Sequence, residues 1–215
     1  MKRRFLLLHG LGNHRPIGHW LSWLAEELRR RDEQVLYPQM PSPDAPKLPE
    51  WLDLLCAENA QMGAGERIVV CHSLACALWY WASEGGELER PADRVLLVAP
   101  PGPSVLERAI TATFYAGAWN GERLSASSRT KIRLVASQFD PECPEGSPAQ
   151  VYGQPLGLDA ETIPGAGHLS MSDGYGPWPA VLRWCLDGSV RLSADDSHQV
   201  AHTEDQGSGP ASAYP

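Results

Sequence analysis

No stretch of this chain approaches the ~20 consecutive apolar residues of a membrane-spanning helix, so a membrane partner is not expected. Positive charge is in deficit as well: 18 Lys and Arg stand against 26 Asp and Glu, giving a formal charge of -8. With no basic cluster to offset that balance, nucleic acid is not expected as a partner. Cysteine is scarce and odd in number, five residues at 56, 71, 76, 143 and 185, so any disulfide scheme leaves one over. Free thiols suit a reducing compartment. There is no C-x-x-C pair and no H-E-x-x-H, so zinc-ribbon, thioredoxin-type and zincin chemistry lack their residues and no metal is expected. The apolar opening Phe5-Leu6-Leu7-Leu8 ends at His9-Gly10, short of the roughly 7 to 15 residues of a signal-peptide core. A cytoplasmic protein is the expectation.

What the chain does contain is alternation. At 215 residues it fits one core, since single cores serve up to roughly 250 residues. Short apolar runs at 4–8, 34–37, 67–71, 94–99, 131–137 and 160–163 read as strands. Longer segments of helical period lie between or after them at 18–31, 49–62, 73–84 and 177–186, with a short helix at 149–156. Strand and helix in turn imply βαβ units, a mostly parallel sheet and an α/β fold. Two stretches break the rhythm. Residues 100–130 carry Pro100, Pro101, Pro103, Gly117 and Gly121, an excursion of the length expected for a lid or binding loop. From Gly188 the sequence turns polar without apolar period, so one domain over 1–188 and a disordered tail over 189–215 are expected.

The densest chemistry is at Cys71-His72-Ser73-Leu74-Ala75, where the strand Arg67-Ile68-Val69-Val70 runs into the helix that begins at Leu74. A sharp strand-to-helix turn strains its central residue and demands small residues two before and two after. Cys71 and Ala75 meet that demand, in a small-x-Ser-x-small version of the nucleophile elbow. A serine hydroxyl needs a base and an acid that orients the base. Hydrolases with this elbow present them in the order Ser, Asp or Glu, His at later strand ends. Asp140 follows the strand ending at Ser137, and His168 follows the strand ending at Ile163 in Pro164-Gly165-Ala166-Gly167-His168. Asp159 and Asp173 are weaker rivals, one preceding its strand and the other following the histidine.

Two backbone N–H groups must face the developing oxyanion. Leu74 supplies one at its helix start, and Leu11, in His9-Gly10-Leu11-Gly12-Asn13 after the first strand, supplies the other. His9, Gly10, Gly12, Asn13 and His72 are the expected substrate contacts, although His9 and His72 also suit a role as loop supports. His14 and His19 lie on the loop leading to the first helix, where substrate contact is one reading and simple exposure at the helix start the favoured one, and His198 and His202 are expected in the solvated tail. A dinucleotide site is the alternative use of Gly10-x-Gly12. It fails because the third fingerprint position is Arg15 and the second strand, Val35-Leu36-Tyr37-Pro38, ends without the acid that holds a ribose.

Taken together, His19-Trp20 with Trp23-Leu24, Cys71 to Ala75, Leu97-Val98-Ala99-Pro100-Pro101, Ala136-Ser137-Gln138-Phe139-Asp140-Pro141, Gly165 to His168 and Gly176-Pro177-Trp178 resemble the small α/β serine hydrolases that include retinoblastoma-binding protein 9 and its bacterial relatives. The resemblance spans most of 4–186. It implies a three-layer α/β-hydrolase fold with a sheet of about six strands in the order 2-1-3-4-5-6, lacking the leading antiparallel strands of larger hydrolases. It also implies a Ser73, Asp140, His168 triad, a small ester or amide as substrate and no cofactor. Where the family more often carries glycine, this chain has Ala75. Leu54-Leu55-Cys56-Ala57-Glu58 matches the L-x-C-x-E docking motif, but such motifs bind extended and this one falls in an expected helix. A non-catalytic binding protein on a hydrolase scaffold is the other functional class that the sequence allows.

Overall fold

The computed structural model describes residues 2–193. Six parallel strands, β1 (Arg3–Leu8), β2 (Gln34–Leu36), β3 (Glu66–His72), β4 (Arg94–Val98), β5 (Arg133–Ser137) and β6 (Asp159–Ile163), form one sheet in the order β2-β1-β3-β4-β5-β6. Side chains alternate across a strand, and here each side meets a different helical layer. Phe5, Leu7, Ile68, Val70, Leu96, Val98 and Val135 pack with α1 (Trp20–Arg29) and α6 (Pro179–Leu186). Leu6, Leu8, Val69, Cys71, Val95, Leu97 and Leu134 pack with α2 (Leu48–Gln61) and α3 (Leu74–Glu84). This is the three-layer α/β-hydrolase arrangement expected above.

Each helix is legible in its residues. In α1 the buried Trp20, Leu21, Leu24, Ala25 and Leu28 recur at helical spacing, which gives one apolar stripe. Buried on nearly every side, α3 has side chains from Leu74 to Tyr80 in the core. Both α2 and α6 carry proline in the first turn, where the missing N–H breaks no helical bond. The L-x-C-x-E residues lie inside α2, not in an extended segment. All five cysteines are free, and burial pushes the thiols of Cys143 and Cys185 up to about 12, so neither is a thiolate near neutrality.

Register places the site. Leu8 of β1 lies abreast of Cys71 of β3, and His72 abreast of Val98, so the loops after β1 and β3 leave the sheet side by side. Chain direction through the order reverses at this point, which is where open α/β sheets bind ligands. Residue 99, expected to end β4, has already left it: Ala99 adopts φ +47°, while its N–H still bonds the Val135 carbonyl at 2.9 Å.

The excursion between β4 and β5 holds α4 (Pro103–Leu106), a 3-10 turn (Ala112–Phe114) and α5 (Gly121–Ala126). It packs on α3. Phe114 is fully buried, the Trp81 indole N–H donates to the Phe114 carbonyl at 3.0 Å, and Trp119 stacks on Tyr80 with centroids 4.8 Å apart. Any lid motion of this segment has to break those contacts.

The packed chain runs on past residue 188, the limit expected above. Leu192 is fully buried against the α1 and α6 layer. The N–H groups of Leu192 and Ser193 donate to Glu161 Oε2 of β6 at 2.7 and 2.9 Å. The apolar period had ended before 188, and one leucine with one buried carboxylate carries the chain further. The rest of the expected tail, with His198 and His202, lies outside the described residues. Leu192→Ala is expected to lower unfolding free energy by about 2 to 5 kcal/mol in urea titration. A change under about 0.5 kcal/mol would show that this segment is not anchored.

Candidate active site

Ser73 sits between β3 and α3 with φ +56° and ψ -125°, a region that costs a non-glycine residue about 1 to 3 kcal/mol. The turn is fastened at both sides. Its N–H donates to the Val98 carbonyl at 2.9 Å, extending the β3–β4 ladder, and its carbonyl accepts the Cys76 N–H at 2.8 Å. Cys71 and Ala75 are fully buried, and the Ala75 methyl is part of the core. Gly10 shows how tightly the β1 loop presses on the turn. A Cβ there would stand 2.7 Å from Ser73 Cβ and 3.0 Å from Oγ, closer than packed carbons approach, so any larger residue displaces one of them.

The imidazole of His168 lies between Ser73 and Asp140. Ser73 Oγ is 2.8 Å from His168 Nε2, and Nδ1 is 2.9 Å from each Asp140 carboxylate oxygen. Asp140 has a fully buried carboxylate that also accepts the Glu142 N–H at 2.9 Å. With Nδ1–H pointed at a carboxylate, Nε2 is left as an acceptor for the serine hydroxyl. The rival acids are engaged elsewhere. Asp159 opens β6, instead of preceding it, and pairs with Arg133 and Arg191 at 3.1 and 2.9 Å. Asp173 accepts the His168 and Ser170 N–H groups at 3.0 and 3.1 Å, so it holds the backbone of the histidine loop and not its ring.

Two further side chains grip that loop from the sheet side. His72 Nε2–H donates to the His168 carbonyl at 3.0 Å, and the buried Trp20 indole N–H donates to the Leu169 carbonyl at 2.9 Å. Leu169, itself fully buried, takes φ +51°. The loop therefore has two N–H groups and two carbonyls engaged, which limits how far the imidazole can drift.

Burial keeps three histidines around the site, His9, His19 and His72, neutral. His9 donates through Nδ1 to the Gly10 carbonyl at 2.9 Å and accepts the Met40 N–H on Nε2 at 2.9 Å. Fully buried, it braces the β1 loop and lines neither cleft at Ser73, unlike the other expected contacts. His19, expected at an exposed helix start, is 4% exposed and caps α1 by accepting the Leu21 N–H on Nδ1 at 3.1 Å. Burial lowers both His9 and His19 to about 4. His72 is held well below the ordinary value by burial, then by the neighbouring His168 and His19. His14 remains exposed beside Asp44.

Ser73, Leu11 and His168 are shared by two clefts of about 260 and 240 Å³. Gly10, Gly12, Asn13 and His72 line the first, and Leu74 lines the second. Among the described residues, neither the Leu11 nor the Leu74 N–H has a backbone acceptor, so both are available to a ligand. Sequence reasoning missed Pro16 and Met171 in the first cleft and Val105, Arg108, Thr111 and Glu142 in the second. The one usable signal was the long excursion after Pro101, which supplies three of the latter. No group of three or more His, Cys, Asp or Glu among the described residues is arranged to hold a metal, and no helix among them is long and apolar enough to cross a membrane.

The family model for serine hydrolases matches residues 5–186. The chain belongs to the serine hydrolase family. YdeN of Bacillus subtilis, named as a candidate hydrolase, is 23% identical over 181 residues, covering 84% of this serine hydrolase and 93% of YdeN. The crystal structure of YdeN matches with a TM-score of 0.70 over 85% of this chain and 96% of its own. A YdeN-like hydrolase from Pectobacterium atrosepticum, 23% identical, matches at 0.60 over 86% and 90%. An extracellular α/β-hydrolase of a Paenibacillus species, 12% identical, matches at 0.57 over 86% and 98%. These likenesses establish the α/β-hydrolase fold.

Two outcomes follow from this geometry. Replacing Ser73 by glycine releases the positive-φ strain and replacing it by alanine does not, so Ser73→Gly is expected to exceed Ser73→Ala in stability by about 1 kcal/mol. Equal or reversed denaturation midpoints would contradict a strained turn. The buried histidines set a pH dependence. Native values near 4 for His9 and His19 lie below the unfolded 6.5, so between those limits the unfolded chain binds protons that the native state refuses. Stability is therefore expected to fall as pH drops from 6.5 to 4, by up to roughly 1.4 kcal/mol per unit per histidine. His19→Asn, which keeps an oxygen to cap α1, should make that slope shallower in urea titrations; an unchanged slope would show that His19 does not titrate in this way.

Proposed function

We propose that this serine hydrolase cleaves a small ester or amide through an acyl-enzyme intermediate, with Ser73 as nucleophile, His168 as acid and base, and Asp140 as orienting acid. Ser73 Oγ attacks the carbonyl carbon while His168 Nε2 takes the hydroxyl proton. Two electrons of the carbonyl bond move to its oxygen, toward the N–H groups of Leu11 and Leu74. Removing one such donor typically lowers kcat by about 10² to 10³. As the carbonyl re-forms, the C–O or C–N bond to the leaving group breaks and His168 returns its proton to that group. Water then enters, loses a proton to His168, attacks the acyl carbon and releases the acid, and Ser73 regains its hydrogen. Asp140 stabilises the imidazolium present in each half and keeps Nδ1 protonated.

The observation that carries the reading is the unbroken hydrogen-bonded series Ser73 Oγ, His168 Nε2, His168 Nδ1, Asp140, at 2.8 and 2.9 Å. The segments from His19-Trp20 to Gly176-Pro177-Trp178 quoted above support a finer kinship with the retinoblastoma-binding protein 9 type of hydrolase. Five free thiols support a cytoplasmic site of action.

A fluorophosphonate probe is expected to label the wild type and not Ser73→Ala. Asp140→Asn and His168→Ala should lower ester turnover by about 10³ to 10⁴, and Asp159→Asn should keep most of it. A wild type that resists excess probe would favour a binding protein on a hydrolase scaffold, and a dead Asp159→Asn beside an active Asp140→Asn would reassign the acid.

A further inference from the structure

The two clefts that meet at Ser73 differ in chemistry. The smaller is walled by Leu74, Pro101 and Val105, with the Arg108–Glu142 ion pair at 3.1 Å among its lining residues. In the larger, the lining contains no Asp, Glu, Lys or Arg, only small, apolar and neutral polar residues. A charged substrate group entering it would lose water without meeting a countercharge. An uncharged group with a hydrogen-bonding atom would not.

One fixed donor is waiting there. His19 lines this cleft at 4% exposure. Its Nδ1 accepts the Leu21 N–H at 3.1 Å, which leaves the ring proton of the neutral imidazole on Nε2. The ring cannot turn freely, because it stacks on Trp20 with centroids 5.7 Å apart and lies against His72 at 5.6 Å. No residue among those described accepts from Nε2, whereas His72 spends its own Nε2–H on the His168 carbonyl. Nε2 is not among the buried polar atoms that lack a partner, so it keeps contact with solvent, and a substrate oxygen entering the cleft can replace water on it.

We propose that His19 is a specificity-determining residue: its Nε2–H donates to an uncharged oxygen of the substrate on one side of the scissile bond, while a short apolar group fills the cleft on the other side. The substrate class is thus a neutral ester or amide carrying a hydroxyl, ether or carbonyl oxygen on one arm only. This rests on the hydrolase reading above.

The test uses esters matched in length in which one methylene is replaced by an ether oxygen, once in the acyl arm and once in the alcohol arm. The wild type is expected to favour the oxygen on one arm by about tenfold in kcat/KM, the worth of one neutral hydrogen bond. In His19→Asn, or in His19→Ser if the first folds poorly, a capping oxygen for α1 is retained and the preference should collapse toward one. A merely structural role would lower both members of a pair equally and leave their ratio intact, and that result overturns the proposal. So does a wild type that turns over all the esters with no preference on either arm. A wild type that shows no turnover and no fluorophosphonate labelling would overturn the hydrolase reading, and this proposal with it.

Discussion

The left-handed backbone at Ser73 is the constraint on which the site depends. A residue at φ +56° between a strand and a helix is unfavourable by itself, and it persists because both flanks are determined independently. Behind it, β3 is locked between β1 and β4; ahead of it, α3 buries Leu74, Ala75, Cys76, Ala77 and Leu78 in one core. Burying a large aliphatic side chain contributes about 1.5 to 3 kcal/mol, so two or three such residues offset the strain. In return the hydroxyl projects from the sheet edge at the helix N-terminus. Gly10 follows from the same constraint, because nothing larger lets the β1 loop bring Leu11 beside that hydroxyl.

The histidine arrives from the other end of the sheet, and its placement is a problem of loops. Here the solution is polar and mostly buried. Trp20 from α1 and His72 from β3 each take one backbone carbonyl of residues 168–170, and Asp173 from the following turn takes two N–H groups. Three neutral histidines, His9, His19 and His72, hold loops around the site. Their low proton affinity matters electrostatically, since a cation beside His168 would oppose formation of the imidazolium that acyl transfer needs. Burial thus serves packing and charge together.

Much of this was legible along the chain because the relevant signals are local. The apolar runs matched all six strands to within about two residues, and the small-residue flanks of Ser73 marked the elbow. Asp140 and His168 were legible from strand ends, as the switch from strand to loop is itself a local event. The strand order came through resemblance to a family, since periodicity says nothing of which strands are neighbours. What stayed hidden depends on contacts far apart in sequence. The burial of His19 depends on helix packing against the sheet, the partner that His9 supports is identified only when Met40 is placed beside it, and Leu192 is retained by a glutamate 31 positions earlier. Cleft walls at Arg108 and Glu142 meet across 34 positions, with no pattern to announce it.

Acyl transfer through Ser73 is the claim to which these observations lead, and it has a covalent signature. Brief exposure to an activated acetyl ester, acid quenching and peptide mapping by mass spectrometry would locate the acyl group directly. The expected result is a single acetyl on the peptide containing Ser73, formed in a rapid burst and absent from Ser73→Ala. Turnover of the same ester with no acyl group on that peptide, or with the group on another residue and unaffected by Ser73→Ala, would contradict it.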